Sequence, residues 1–130
     1  MNKAVFLDRD GVINSDDGHY YVYRRSDFVL TPRLGKSLKR LHDAGFMLIV
    51  VTNQGGVARG IYSSADVESL SDFLRSQMAD FGVPIAEVYS CLHHPDMGKC
   101  LCRKPSPLLV QRAMARFNID PAQSYLIGDR

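Results

Sequence analysis

The chain of 130 residues alternates between short apolar runs and longer stretches in which hydrophobic residues recur at helical spacing. Residues 46–51 form a continuous, partly β-branched apolar run, which predicts a strand buried on both faces. Residues 3–7, 83–90 and 124–128 are shorter or weaker runs that predict three more strands. Because helical stretches separate these four runs, the pattern predicts an α/β fold: a three-layer Rossmann-like parallel sheet with helices on both faces.

Each predicted helix is marked by a start signal or by an apolar face. The first is predicted to begin with Thr31 as the N-cap and Pro32 at the first helical position. The second begins at Ser63, with Asp66 as the partner of a capping box, and the third spans residues 105–118. The predicted apolar faces are Leu34, Leu38, Leu41 and Ala44, and then Val67, Leu70, Leu74, Met78 and Phe81, with Gly45 and Gly82 ending the two helices.

Composition is that of an ordinary globular protein, and we interpret residues 1–130 as a single domain. Hydrophobic residues make up 45% and charged residues 23%, and a net charge of +2 is too small to argue for nucleic acid. The longest apolar run is far shorter than the roughly 20 residues of a membrane span. Since Asp8, Arg9 and Asp10 interrupt the apolar start, no signal peptide is predicted. We therefore expect a cytoplasmic monomer without a membrane or nucleic-acid partner.

Polar, chemically useful residues follow the predicted strands. Asp8 and Asp10 come after the first strand, Thr52 after the second and Asp129 after the fourth, while a cysteine-rich segment follows the third. Each could be a solvated turn, where aspartate and threonine are common. In parallel sheets, however, ligands bind at the carboxyl ends of the strands, where all four segments would meet. This convergence favours a functional site over four separate turns.

The cysteine-rich segment has the ligands of a zinc site. Cys91, Cys100 and Cys102 are the three cysteines of the chain, and His93 and His94 lie between them. Three cysteines cannot all pair in disulfides. Three sulfurs and one nitrogen, however, make up a closed tetrahedral set of zinc ligands. The alternative is a group of buried free thiols beside a surface histidine.

Together these motifs resemble the haloacid-dehalogenase-like phosphatases. The resemblance rests on Asp8-x-Asp10-Gly11-Val12, Thr52-Asn53, Lys104 before Pro105, and Gly128-Asp129, in the family's order. Cys91-x-His93 and Cys100-x-Cys102-Arg103-Lys104-Pro105 resemble the branch of heptose 1,7-bisphosphate and histidinol-phosphate phosphatases, and this spacing favours His93 over His94 as the zinc ligand. The resemblance implies a fold without a large cap domain, with a zinc-stabilised loop. It also implies a further C-terminal strand and helix, apparently missing here because the sequence stops at Arg130.

The resemblance also implies a role for each site residue. Asp8 would attack phosphorus to form an aspartyl-phosphate, and Asp10 would act as general acid and then base. Mg²⁺ would be held by Asp8, the backbone carbonyl of Asp10 and Asp129, while the zinc would be structural. Thr52 and Lys104 would hold the phosphoryl oxygens. Further phosphate or substrate contacts are implied for Arg9, Asp16, His19, Asn53, Gln54, Gly55, Arg59, Arg103 and Arg130.

The substrate remains open between two compounds of the same branch. Residues 56–60, "GVARG", favour heptose 1,7-bisphosphate, with Arg59 near a distal phosphate or sugar hydroxyl, whereas the short segment between His93 and Cys100 favours histidinol phosphate. An alternative of another class is a non-catalytic, zinc-stabilised binding module, directed at nucleic acid through "HYYVYRR", residues 19–25. We prefer an enzyme that acts on a small phosphorylated sugar, with heptose 1,7-bisphosphate as the leading candidate and histidinol phosphate second, because a pure binder has no need of the Asp8–Asp10 pair. Since the chain has no other basic patch, we interpret residues 19–25 as a loop that covers the active site.

Overall fold

The computed structural model describes residues 1–15, 21–92 and 108–127. Within these ranges four strands alternate with three α-helices, as the hydrophobic pattern predicts. The strands are β1 (Ala4–Leu7), β2 (Met47–Asn53), β3 (Ile85–Cys91) and β4 (Tyr125–Ile127), and the helices are α1 (Leu34–Asp43), α2 (Ser64–Asp80) and α3 (Leu108–Phe117). The second strand extends two residues beyond its predicted end, so Thr52 and Asn53 are its last residues rather than part of the following loop.

The four strands form one parallel sheet in the order β3-β2-β1-β4. Phe6 of β1 lies opposite Ile49 of β2 on one side and Leu126 of β4 on the other. All strands run in the same direction, so their carboxyl ends meet at a single edge. The predicted α/β architecture is confirmed.

Helices cover both faces of the sheet because side chains along each strand alternate between them. On one face, Val5 and Leu7 of β1 pack in a core with α1 and α2 that includes Leu38 and Leu74. On the other face, Ala4 and Phe6 join Leu109 and Ala113 of α3 in a second core. The predicted three-layer arrangement is therefore confirmed.

The predicted start of α1 is wrong. The helix begins at Leu34, after Arg33, whose backbone has a positive φ of 62°. Thr31 does not cap it, because its hydroxyl donates a hydrogen bond of 2.7 Å to the carbonyl of Val12. This side chain instead ties the start of α1 to the loop after β1.

Two other predicted positions on the helix faces also differ. Ala44 lies beyond the end of α1 and is exposed. Phe81 remains 50% exposed, and its ring lies against Gly35 of α1, where a Cβ atom would approach within 2.5 Å of the ring.

The capping box of α2 is confirmed. The hydroxyl of Ser63 accepts a hydrogen bond of 3.1 Å from the backbone N–H of Asp66, and the Asp66 carboxylate accepts one of 2.9 Å from the N–H of Ser63. The apolar face Val67, Leu70, Leu74 and Met78 is buried as predicted. Across the described ranges, no helix is both long and apolar enough to cross a membrane.

Candidate active site

The loop after β1 places two aspartates at the carboxyl edge of the sheet. Asp8 directly follows the strand, and its backbone N–H donates a hydrogen bond of 2.9 Å to the carbonyl of Ile127 in β4. Gly11 has a φ of +87°, a conformation that glycine adopts without strain. Its N–H donates a bond of 2.8 Å to the carbonyl of Asn14, so the chain doubles back and brings Asn14 beside Asp10.

The carboxylate of Asp10 accepts four hydrogen bonds from three side chains. Its Oδ1 atom accepts from Nε and Nη2 of Arg9 at 2.9 and 2.7 Å, and from Nδ2 of Asn14 at 3.0 Å. Its Oδ2 atom accepts from Nε2 of Gln54 at 3.2 Å. Hydrogen bonds between charged groups are stronger than those between neutral groups, so the protein fixes the orientation of this carboxylate.

Arg9 is buried and directed at Asp10 rather than at the open edge of the site. Only 1% of the residue is exposed, and its Nη2 atom also donates to the carbonyl of Val22 at 2.5 Å. A buried guanidinium needs such partners because desolvating an unpaired charge costs several kcal/mol. The Arg9 side chain therefore contacts Asp10 and the Val22 carbonyl, and the substrate contact that the resemblance implies for Arg9 stays a prediction.

The end of β2 supplies the second group of site residues. Thr52 and Gln54 are buried, and Asn53 is half-buried at the last position of the strand, opposite Cys91. The amide nitrogen of Gln54 donates a hydrogen bond of 2.9 Å to the hydroxyl of Thr52, in addition to the bond of 3.2 Å to Asp10. Asp10 and Thr52, which are 42 positions apart in sequence, therefore share one hydrogen-bonding partner.

A tight turn follows Gln54 and leads to Arg59. The carbonyl of Gly55 accepts a hydrogen bond of 3.4 Å from the N–H of Arg59, and Gly60 has a φ of +73°. Arg59 is exposed, and its Nη1 atom donates to the hydroxyl of Tyr21 at 3.2 Å. The turn thus places Arg59 next to the segment at residues 21–23.

Three tyrosines pack together beside Gln54. The ring of Tyr23 stacks on that of Tyr62 at 4.8 Å and 5°, and the ring of Tyr21 meets Tyr62 edge-on at 5.7 Å. The hydroxyl of Tyr62 donates a hydrogen bond of 2.6 Å to Oε1 of Gln54. Burial raises the pKa of Tyr62 to about 12, so its hydroxyl keeps its proton at any ordinary pH. Tyr21 and Tyr23 therefore pack against Tyr62, while a covering role for residues 19–25 stays a prediction.

Other predicted site residues lie outside the described ranges. Among the described residues, no three His, Cys, Asp or Glu side chains form a group that could hold a metal ion. Cys91 is buried, and its sulfur is in a disulfide. The residues beyond the described ranges are Asp16, His19, His93, Cys100, Cys102, Arg103, Lys104, Asp129 and Arg130.

The described donors are compatible with Mg²⁺. Asp8 contributes a carboxylate, of which Oδ1 accepts a bond of 2.9 Å from the N–H of Arg9, and Mg²⁺ prefers such oxygen ligands. The side chain of Asp10 is already committed to protein donors. This fits a ligand set in which Asp10 contributes its backbone carbonyl.

Two residues that contact this group of side chains were not identified by the sequence analysis. Asn14 is fully buried and bonds Asp10, and Tyr62 is 6% exposed and bonds Gln54. An available signal for Asn14 was a polar residue directly after the apolar Val12 and Ile13, close to the aspartates. Tyr62 gave no comparable signal, because its contact with Gln54 depends on the shape of the intervening turn.

Comparisons with known proteins identify a family of phosphatases. A family model described as polynucleotide kinase 3 phosphatase matches residues 3–130. The chain is 44% identical to D-glycero-beta-D-manno-heptose-1,7-bisphosphate 7-phosphatase of Haemophilus ducreyi, over 98% of this chain and 72% of that protein. It is 40% identical to D-glycero-alpha-D-manno-heptose-1,7-bisphosphate 7-phosphatase of Photorhabdus laumondii, with the same coverage.

A solved structure gives the same result for the fold. The D,D-heptose 1,7-bisphosphate phosphatase from B. bronchiseptica, crystallised with magnesium and phosphate, superimposes with a TM-score of 0.88 at 32% identity. The match covers 98% of this chain and 70% of that chain.

Proposed function

The chain belongs to the haloacid-dehalogenase-like phosphatases, and from this premise we propose that it removes the 7-phosphate of D-glycero-D-manno-heptose 1,7-bisphosphate to leave the heptose 1-phosphate. The observation that carries the proposal is the pairing of Asp8 with a firmly oriented Asp10 at the carboxyl edge of the sheet. The substrate is supported by the names of the relatives, which include enzymes for both anomers. We further propose a cytoplasmic location, in keeping with the metabolism of sugar phosphates.

In the first step, a carboxylate oxygen of Asp8 attacks phosphorus and the bond from phosphorus to the sugar oxygen breaks. Asp10 donates its proton to the departing sugar oxygen. Without this proton the sugar would leave as a strongly basic alkoxide, which is a poor leaving group. The products are the sugar alcohol and an aspartyl-phosphate on Asp8.

In the second step, Asp10 is ionised and takes a proton from water as the water attacks phosphorus. The acyl-phosphate bond then breaks, which releases inorganic phosphate and restores the carboxylate of Asp8. Bound Mg²⁺, held by Asp8, the Asp10 carbonyl and Asp129, would neutralise negative charge on the phosphoryl group. Thr52 and Lys104 would hold the phosphoryl oxygens in both steps.

Remote substrate contacts are proposed for exposed or polar groups around this centre. Arg59 and its neighbour Tyr21 present a cationic and a hydroxyl group beside the site, which suits a second phosphate or sugar hydroxyls. Asn53 and the backbone around Gly55 border the same edge. The remaining proposed contacts are Asp16, His19, Arg103 and Arg130.

The function is tested by phosphate release from both anomers of heptose 1,7-bisphosphate and from histidinol phosphate in the presence of Mg²⁺. We expect the bisphosphates to be the better substrates. Asp8→Asn should abolish turnover, since it removes the nucleophile, whereas Asp10→Asn should slow turnover by about 10²–10⁴-fold through loss of the proton donor. Asp43→Asn is the matched control, because the exposed Asp43 carboxylate pairs with Lys39 on the surface of α1 at 2.9 Å.

Near wild-type turnover by Asp8→Asn would contradict the mechanism. A higher kcat/KM for histidinol phosphate than for either heptose bisphosphate would be consistent with the mechanism but would contradict the proposed substrate.

We also propose a structural zinc held by Cys91, His93, Cys100 and Cys102, because three sulfurs and one nitrogen fill a closed tetrahedral site. The proposal requires a free thiolate at Cys91, so the disulfide at this residue is the competing state. Elemental analysis of protein purified under reducing conditions should find about one zinc per chain. Cys100→Ser should lose the zinc and lower the thermal midpoint, whereas a zinc-free active preparation would refute the site.

A further inference from the structure

Tyr62, Gln54 and Asp10 form a continuous chain of hydrogen bonds. The Tyr62 hydroxyl donates to Oε1 of Gln54 at 2.6 Å, and Nε2 of Gln54 donates to Oδ2 of Asp10 at 3.2 Å. We propose that Tyr62 is a positioning residue for proton transfer by Asp10 and that it acts through the Gln54 amide. This inference rests on the proposed phosphatase function.

The two oxygens of Asp10 have different surroundings. Oδ1 accepts three hydrogen bonds, two from Arg9 and one from Asn14, whereas Oδ2 accepts one from Gln54. An oxygen surrounded by three donors is a poor place for a proton, because the proton would face the hydrogens of those donors. Oδ2 is therefore the oxygen that carries the transferred proton, and Gln54 is the side chain that directs it.

The hydroxyl of Tyr62 determines which end of the Gln54 amide faces Asp10. An amide has a donor end and an acceptor end, and the Tyr62 O–H occupies the acceptor end. The donor end then meets two oxygens, Oδ2 of Asp10 and the hydroxyl of Thr52. Without the hydroxyl, Oε1 would lose its partner in a buried site, and when Asp10 is protonated the amide could turn its carbonyl oxygen towards the Asp10 O–H and hold that proton away from the leaving group. Asp10 would then be less well oriented.

The position of Tyr62 is itself strongly determined. Its ring stacks on Tyr23, and a Cβ atom on Gly56 would overlap the ring, so the absent side chain at Gly56 makes the space for it. Since burial raises its pKa to about 12, the hydroxyl remains a donor throughout the working pH range. The protein thus supplies a rigid, permanently protonated donor behind the amide.

The test is Tyr62→Phe, which removes one oxygen and leaves the ring. Heptose bisphosphate has a basic alkoxide leaving group that needs a proton, whereas 4-nitrophenyl phosphate has a good leaving group that does not. We expect kcat to fall about tenfold for heptose bisphosphate and less than about twofold for 4-nitrophenyl phosphate, with KM changed little. A merely structural role of the hydroxyl would lower both rates together.

A double-mutant cycle identifies the route through Gln54. In a Gln54→Met background, which keeps the volume and removes the amide, Tyr62→Phe should cause no further loss of kcat and no further fall in the thermal midpoint. Tyr125→Phe removes a hydroxyl from an exposed ring at the start of β4, away from the site, and serves as the control, with wild-type selectivity between the two substrates.

Three outcomes would overturn the inference: equal losses on both substrates, no loss on either, or a full effect of Tyr62→Phe in the Gln54→Met background. Failure of the proposed function is separately visible, because the wild-type protein would then release no phosphate from heptose bisphosphate. Thermal coupling between Tyr62 and Gln54 would still be measurable in that case, but the role in proton transfer would be refuted.

Discussion

A single arginine lies between the two aspartates of the site and is almost completely buried. Its guanidinium bonds Asp10 through two nitrogens and also reaches the carbonyl of Val22. Val22 immediately precedes Tyr23, which stacks on Tyr62. The Arg9 guanidinium therefore connects the proposed proton donor to the segment at residues 21–23.

Replacing Arg9 should reduce both stability and activity. Arg9→Met removes one partner of a largely buried ion pair, and we expect a loss of about 3 kcal/mol in the free energy of unfolding, at the low end for such pairs. The low end applies because the Asp10 side chain is 29% exposed and keeps its bonds from Asn14 and Gln54. Urea unfolding measures the loss, with the exposed Arg40→Met as control. A change no larger than that of the control would contradict the structural role of Arg9.

Residue types predicted part of this site but not the direction of its side chains. Asp8, Asp10 and Thr52 could be identified as candidates because they come at the carboxyl ends of predicted parallel strands, where ligands bind. The burial of Arg9 could not be predicted, because it depends on how the loop at residues 8–14 folds back at Gly11. An arginine between two aspartates is equally consistent with a solvent-facing side chain when only the sequence is known.

At the scale of elements, Glu87 of β3 joins the helices on the two faces of the sheet. Its carboxylate accepts from Arg75 of α2 at 3.3 Å and from Arg116 of α3 at 2.8 Å. Burial by itself raises the pKa of Glu87, but the hydrogen bonds from Arg116 and from the N–H of Val88, together with the charge of Arg75, outweigh it. The net effect is a pKa below the ordinary value of 4.5.

This lowered pKa predicts a pH-dependent contribution to stability. A carboxylate with a lower pKa in the folded state stabilises the fold above its unfolded pKa and loses this effect as the pH falls through the folded pKa. Glu87→Gln should therefore lower stability by no more than about 1 kcal/mol at pH 7, and the difference from wild type should disappear in acid below pH 4.5. Thermal melts across this range are the measurement, with the exposed Glu68→Gln of α2 as control. A difference that persisted unchanged at acid pH would show that the charge of Glu87 is not responsible.

The helix starts show which elements a sequence can predict. The box of Ser63 and Asp66 was predicted correctly because both partners lie within one helical turn. Thr31 had an equally suitable side chain, yet its hydroxyl bonds Val12, which lies 19 residues earlier. A local signal fails where a distant backbone group competes for the same side chain, and the sequence does not reveal such a competitor.

At the scale of the whole molecule, the parallel sheet brings the chain segments that follow β1 and β2 together at one edge. The order β3-β2-β1-β4 places β1 and β2 side by side, so Asp10 and Thr52 meet at adjacent strand ends and share Gln54. This convergence was predictable, since it follows from strand direction alone. The packing of Tyr21 and Tyr23 on Tyr62 was only expected in outline, because it depends on the relative heights of two loops that no periodic pattern specifies.

Ligand binding at this shared edge should stabilise the entire fold. A ligand that binds only the folded state at about 100 times its Kd adds about 2.7 kcal/mol to the free energy of unfolding, which corresponds to a thermal shift on the order of 10 °C for a chain of this size. We expect Mg²⁺ together with inorganic phosphate to produce such a shift in the wild-type protein and in the surface control Asp43→Asn. Asp8→Asn should lose most of it, because the phosphate and the cation would both lie against the Asp8 carboxylate. Differential scanning fluorimetry with Mg²⁺ alone, phosphate alone and the two together separates these contributions. An undiminished shift in Asp8→Asn would place the ligands elsewhere and contradict the assignment of the site.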